Sequence, residues 1–371
     1  MSDEPTGRTG TDGGTANESV GEGETGFRAR WQAVRDRETT VFVLTVLGVV
    51  LFPYLFARAP VISPALQGYQ ELASLMLIWG IFAIGFNLVL GYTGLLSFGH
   101  AAFWGVAAYA AGWVSANVVG SPVVLVLVGT VAAVVLAWLF GVLSLRRGGI
   151  YFAILTLAFA QMIYYVALGP LSTLTGGENG FTDVEIGELF GTFDLGSELP
   201  SIGGLLLGNW MYAFIGLLTV LSVVVLYRIL NSPYGLVFRA IRENEQRAEF
   251  VGLDVRRYKL MSFVLSGAFA GVAGSLFTIH GGYVPLESLY WTTSGEVVIM
   301  TVLGGVGSII GPMIGAALYL YVEVIVSGFD TIGPFWHLIL GLVFVAVVVF
   351  APRGIWGLLT DAGARLTGRD R

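Results

Sequence analysis

Apolar residues in this chain come in long unbroken runs, not in the alternation of a half-buried sheet. A run of about 20 apolar residues is what crosses about 30 Å of hydrocarbon. Such runs occupy roughly 39–57, 71–91, 98–118, 122–144, 150–169, 207–228, 260–281 and 336–351. A further apolar stretch, 295–326, is interrupted by Gly304, Gly305, Gly307, Gly311 and Pro312. The pattern predicts an all-α, polytopic transmembrane helical bundle of about ten membrane segments, some of them short or broken. Residues 1–38 precede the first run as a polar tail, whose first 26 residues are too poor in large apolar side chains to fold. Residues 39–355 form the membrane domain, and 356–371 are a short tail.

Arginine positions orient the spans, because basic residues accumulate on the cytoplasmic side. Arg28, Arg30, Arg35 and Arg37, the pair Arg146 and Arg147, the group from Arg228 to Lys259, and Arg353 onward should all be cytoplasmic. Even numbers of crossings separate these groups if 295–326 enters the membrane and returns, with its glycines at the turning point. Both termini are then inside, and 170–206 is an external loop carrying Glu178, Asp183, Glu185, Glu188, Asp194 and Glu198 with no Lys or Arg.

Composition strengthens the membrane reading. The 371 residues are 55% hydrophobic and only 12% charged, with a mean hydropathy of +0.79, where a soluble domain carries about 25% charge. The net charge of -6 does not suggest a nucleic-acid partner. The absence of cysteine excludes disulfides and thiol chemistry, and three dispersed histidines make a metal site an unpromising expectation. No cofactor is expected. Thr175-Gly-Gly-Glu-Asn-Gly180 reads as a flexible external turn; with no following Lys-Ser/Thr it is not a phosphate loop, so the chain has no nucleotide site of its own.

Two regions depart from plain apolar helix: Gly91-Tyr-Thr-Gly94-Leu-Leu-Ser97-Phe-Gly99-His100 and Gly304-Gly-Val-Gly307-Ser308-Ile-Ile-Gly311-Pro312. Irregular backbone at membrane depth is tolerated only inside protein or along a wet cavity. Broken helices of this kind often line transport sites; close helix packing or a short turn would use the same glycines. Glu296 and Glu323 lie in the interrupted stretch, where a carboxylate is costly unless it faces the bundle interior. His100 could hydrogen-bond the loosened backbone beside it.

Residues 231–259 are the longest charged segment between spans. Tyr234–Val251 has helical character, Gly252 is a plausible stop, and Asp254 could cap a helix starting near Val255. Ala240, Phe250 and Val251 are flanked by Arg239, Arg242, Glu243, Glu245, Arg247 and Glu249. A short helix of mixed charge can dock into a partner's groove or lie on lipid.

Several segments together resemble a known family. These are Asn87–Phe103; Arg147–Ala160; the 175–180 turn; Ser232-Pro-Tyr-Gly through Gly252-Leu-Asp; Tyr258-Lys-Leu; and Leu303–Pro312. In this order they resemble LivM-type permeases of branched-chain amino acid ABC transporters, and the related UrtC-type urea and short-amide permeases. The resemblance implies a membrane subunit with no ATPase, working with a LivH-like second permease, two cytoplasmic ATPase subunits that bind the ATP, and an external solute-binding protein. It implies a coupling loop at 231–259, with Tyr234, Gly235, Arg239, Ala240, Arg242, Glu243, Asn244, Glu245, Ala248 and Gly252 as the ATPase-coupling residues. Together with the reading of the two broken regions and of the Glu296 carboxylate, it places Asn87, Gly91, Thr93, Gly94, Ser97, Gly99, His100, Tyr151, Thr156, Glu296, Gly304, Gly305, Gly307 and Ser308 along the solute pathway. Gln161 stands where such relatives often carry an acidic residue. An ion-coupled transporter or channel would need several buried coupling charges, and only Glu296 and Glu323 offer themselves.

Overall fold

The computed structural model describes residues 42–43, 45–51, 70–146, 148–189, 191–198, 209–327 and 333–366. The chain divides into two units, 1–47 and 48–371. Of the first unit only 42–43 and 45–47 are described, and they are helical. The polar tail 1–38 lies outside the described residues, as does most of the expected first span.

The second unit is built from helices α1 (Gln70–Asn87), α2 (His100–Asn117), α3 (Pro122–Ser144), α4 (Ile150–Leu168), the short α5 (Ser172–Thr175), α6 (Trp210–Leu230), α7 (Pro233–Glu243), α8 (Glu245–Phe250), α9 (Val255–Gly281), α10 (Trp291–Gly304), α11 (Gly311–Ser327), α12 (Trp336–Phe350) and α13 (Gly354–Leu366). A π-helical turn, Leu88–Thr93, continues α1. Among the described residues, six helical segments are long and apolar enough to cross a membrane: 71–93, 122–144, 150–168, 210–230, 255–281 and 333–350. α2 is not among them, although its 18 residues match the expected 98–118 run. Its alanines and glycines are mostly buried among the other helices, so it does not need the apolar surface of a lipid-facing span.

α9 is the central post, packed on α1, α2 and α3. A stripe of small residues permits this. A Cβ added at Gly271 would come within 2.8 Å of the Thr130 backbone, and one at Gly274 would strike the Trp104 carbonyl. Close backbone approach of this kind replaces the hydrophobic drive that lipid removes. Asp254 caps α9 by accepting the Arg257 N–H at 3.2 Å, as its position before Val255 predicts.

The interrupted stretch forms the hairpin α10–α11, broken at 305–310. Three other segments differ from expectation. The Tyr234–Val251 helix is divided in two, because Asn244 adopts an extended backbone (φ -160°, ψ 103°) and its side chain accepts the Arg247 N–H to start α8. The segment 356–371, expected as a tail, begins inside helix α13, which packs on α10 and α11. The 175–180 turn is not loose. Phe181 and Val284 exchange backbone hydrogen bonds of 2.9 and 2.8 Å, and the Thr175 hydroxyl donates to the Ala167 carbonyl at 2.7 Å. Gly176, Gly177 and Gly180 all take positive φ there, which lets the chain fold tightly against 284.

Candidate functional site: the junction of two broken helices

The regular helix of α1 ends at Asn87 and widens into the π-turn, which Gly94 closes in the left-handed conformation (φ 79°). π-turns recur at functional sites because they release backbone groups from the helical ladder. The second break, 305–310, folds back with Gly305 and Gly307 at φ 121° and 85°. These two irregular segments meet. The Asn87 side chain, fully buried, donates from Nδ2 to the Ser308 carbonyl at 2.7 Å and accepts the Gly307 N–H at Oδ1 at 2.9 Å. One amide side chain thus satisfies two backbone groups that the break leaves without helical partners. The Ser308 hydroxyl closes the turn by donating to the Gly305 carbonyl at 2.7 Å. Gly304 lies against Gly311, and the Gly305 backbone against the Arg353 carbonyl, at the start of α13.

A charged helix reaches this junction. Arg242 of α7 donates from its guanidinium to the Gly91 carbonyl. Its stem lies 3.3 Å from the Cβ position of Gly94, and its guanidinium 3.1 Å from that of Gly307. Arg239 stacks its guanidinium over the Tyr92 ring, 5.7 Å from the centroid. Gly91, Tyr92, Arg239, Arg242, Glu243 and Gly307 line a cleft of about 560 Å³. The cleft is open, charged on the α7 side and backed by Gly91, Gly307 and the Tyr92 ring on the junction side.

Below the junction the first break is tied to neighbouring helices by polar groups inside the bundle. The Thr93 and Ser262 hydroxyls are hydrogen-bonded at 2.7 Å, and His100 Nε2 and Ser266 Oγ at 2.8 Å. Ser262 and Ser266, one turn apart on α9, are fully buried. Ser97 Oγ accepts the Gly99 N–H at 3.2 Å. Thr156 Oγ1 accepts the Phe98 N–H at 3.2 Å, and a Cβ on Gly99 would meet Thr156 at 3.0 Å. His100 Nε2 therefore braces the break through α9. Ringed by Phe86, Phe103 and Phe263, it is a packed core residue.

The structure accordingly brings together Asn87, Gly91, Thr93, Gly94, Ser97, Gly99, His100, Thr156, Gly304, Gly305, Gly307 and Ser308. It does not bring in Tyr151, which is 69% exposed on the outer face of α4, or Glu296, which lies two turns away along α10. The proposed coupling residues also divide. Tyr234, Arg239, Ala240, Arg242, Glu243, Asn244, Glu245 and Gly252 are exposed, Arg242 with its guanidinium reaching the junction. Gly235 is buried against the Leu230 carbonyl, and Ala248 packs with Ile241 and Val255, so neither presents a surface to a partner. Ser262, Ser266 and the Arg353 carbonyl are site groups that the sequence reading missed. The two serines at i, i+4 in an apolar helix were a usable signal, because they mark one polar face.

The chain matches the family model for the branched-chain amino acid transport system permease component over residues 68–348. The chain belongs to this family. Among its relatives, the high-affinity branched-chain amino acid transport permease LivM of Escherichia coli (strain K12) is 30% identical over 333 residues, 86% of this chain and 75% of that protein. The probable LivM permease of Methanocaldococcus jannaschii is 23% identical over 337 residues, 77% of this chain and 93% of that protein. The probable LivH permease of the same organism is 31% identical over 169 residues, 40% of this chain and 50% of that protein. This branched-chain-type permease is a multi-pass membrane protein, and the junction, apart from the Arg353 carbonyl, lies inside the matched region.

An ion pair adds to the apolar contacts that hold α8 against α9. Lys259 Nζ, on a side chain only 10% exposed, lies 2.5 Å from Glu245 Oε1, whose side chain is 51% exposed. Lys259→Ala leaves Glu245 without its cation and should loosen α8 from α9. A pair between the exposed and buried extremes should contribute about 1 kcal/mol. The expected result is faster cleavage at Arg247 by an arginine-specific protease than in the parent protein. Equal rates would show that Ile241, Ala248 and Val255 alone hold α8.

Proposed function

We propose that this permease is the solute-pathway subunit of an ATP-driven importer for branched-chain amino acids. The observation that carries the reading is Arg242. It stands on a short charged helix outside the spans, yet its guanidinium grips the point where two interrupted membrane helices meet. Such a residue can convert a push on α7 into a shift of both breaks. The matched family and the names of the relatives supply the solute class.

On this reading α7 and α8 are cytoplasmic and rest against an ATPase subunit, with a second ATPase under a LivH-like partner permease. Both termini are inside, and 170–206 faces an external solute-binding protein. The breaks at 91–100 and 304–312 border the passage between the two permeases. The chain itself supplies no ATP hydrolysis. The test is reconstitution of the chain with its second permease, ATPases and binding protein in proteoliposomes. Leucine uptake should require ATP and all partners, and the chain alone should hydrolyse none. Uptake by the chain alone, driven by an ion gradient, would overturn the reading in favour of a secondary transporter.

A further inference from the structure

Glu296 and Glu323 do not belong to the junction, and their surroundings give them a different task. The α10–α11 hairpin fixes their register. Gly304 packs on Gly311, and Gly315 packs on Met300. The helices are antiparallel, so each further step of four residues along one is matched by four along the other. The next contact sets Glu296 opposite Tyr319, with Glu323 one turn beyond Tyr319 on the same face.

Neither helix contains Lys, Arg or His. Among the described residues neither carboxylate has an ion-pair partner, and no described residue hydrogen-bonds the Tyr319 hydroxyl. Tyr319 is only 3% exposed. Both carboxylates are half-buried. A carboxylate held among apolar helices is costly, and two like charges close together repel in addition. A cation between them removes both penalties. An ammonium group has three N–H donors, which match two carboxylates and one phenolic oxygen, with the tyrosine ring as a further cation-binding surface. A neutral solute such as urea would leave the two charges uncompensated.

We propose that Glu296, Tyr319 and Glu323 form an ammonium-binding site on the α10–α11 hairpin that holds the cationic end of an amino acid in transit. This rests on the permease reading above. Glu296 is eight residues, about 12 Å of helix, from Gly304 at the junction. A shift of the break moves the carboxylate with it, so loading of the site and movement of α7 are joined through α10.

The test uses the assembled transporter without its binding protein, followed by thermal unfolding. Leucine and leucinamide, which keep the ammonium group, should raise the unfolding temperature. Isocaproate, which has the carboxylate without the ammonium, and urea should not. The shift should vanish in the double variant Glu296→Gln, Glu323→Gln, and its leucine uptake with all partners present should fall about tenfold or more. Protection by isocaproate equal to that by leucinamide would overturn the proposal. An equal shift from sodium or potassium chloride alone would replace it with an inorganic cation site. The ligand series on the parent complex decides the matter even if the variants fail to assemble. The two readings fail separately. A parent complex that does not import leucine overturns the importer reading, whereas a double variant importing at the parent rate overturns only the ammonium site.

Discussion

Gly91→Val should abolish solute uptake. A Cβ at position 91 falls on the Asn87 amide oxygen and 2.7 Å from the Gly307 backbone nitrogen. Neither neighbour can retreat cheaply. Asn87 is fully buried with both ends of its amide engaged, and Gly307 is backbone in the facing break. Overpacking costs about 1–3 kcal/mol, and each buried polar group left without its partner adds about 1–3 kcal/mol. The junction must then open, separating the two breaks and moving the Gly91 carbonyl from Arg242. Uptake in proteoliposomes and recovery of the assembled complex by size exclusion are the measurements. Gly341→Ala is the matched control, since a Cβ there meets nothing within 4 Å. It should leave both unchanged. Uptake by Gly91→Val at the parent rate would mean that the two breaks need not touch.

Much of this architecture was legible because lipid imposes a simple rule: an apolar run of sufficient length becomes a helix. The 122–144 run appears as α3 at its expected bounds, and the glycines at 304–311 do separate α10 from α11. The site was only partly legible. The glycines announced two breaks, but their meeting depends on Asn87 and Ser308, 221 residues apart, and no local pattern carries that pairing. The helical character of Tyr234–Val251 is present on both sides of Asn244, but composition gives no sign of the break between them. Asn244 makes that break by capping the next turn. Tyr151 lies in a segment that resembles the family, yet its position on α4 turns it outward; neighbouring residues of a helix point in different directions, and Thr156 of the same segment points in. The turn at 175–180 looked loose because glycine is usually read as freedom. Here its positive φ values serve a fixed, hydrogen-bonded turn.

Arg242→Ala should separate ATP hydrolysis from transport. In the assembled importer proposed above, α7 receives the movement of an ATPase, and Arg242 is the side chain of α7 that reaches both breaks. Alanine keeps the helix, since it has the highest helical propensity, and leaves the exposed docking residues Tyr234, Ala240 and Glu243 in place. It removes the donor to the Gly91 carbonyl and the contact beside Gly307. The expected result is continued ATP hydrolysis by the complex with leucine uptake reduced about tenfold or more, equivalent to about 1.4 kcal/mol or more of lost coupling. Arg242→Lys should recover uptake only in part. An ammonium can still donate to one carbonyl, but it lacks the planar fork that lets guanidinium touch two segments at once. Measuring hydrolysis and uptake on the same proteoliposomes distinguishes coupling from assembly. If both fall to the same fraction, Arg242 holds the complex together and transmits nothing. If hydrolysis persists while uptake is lost, the force on the breaks passes through this one guanidinium, because no other change to α7 has been made.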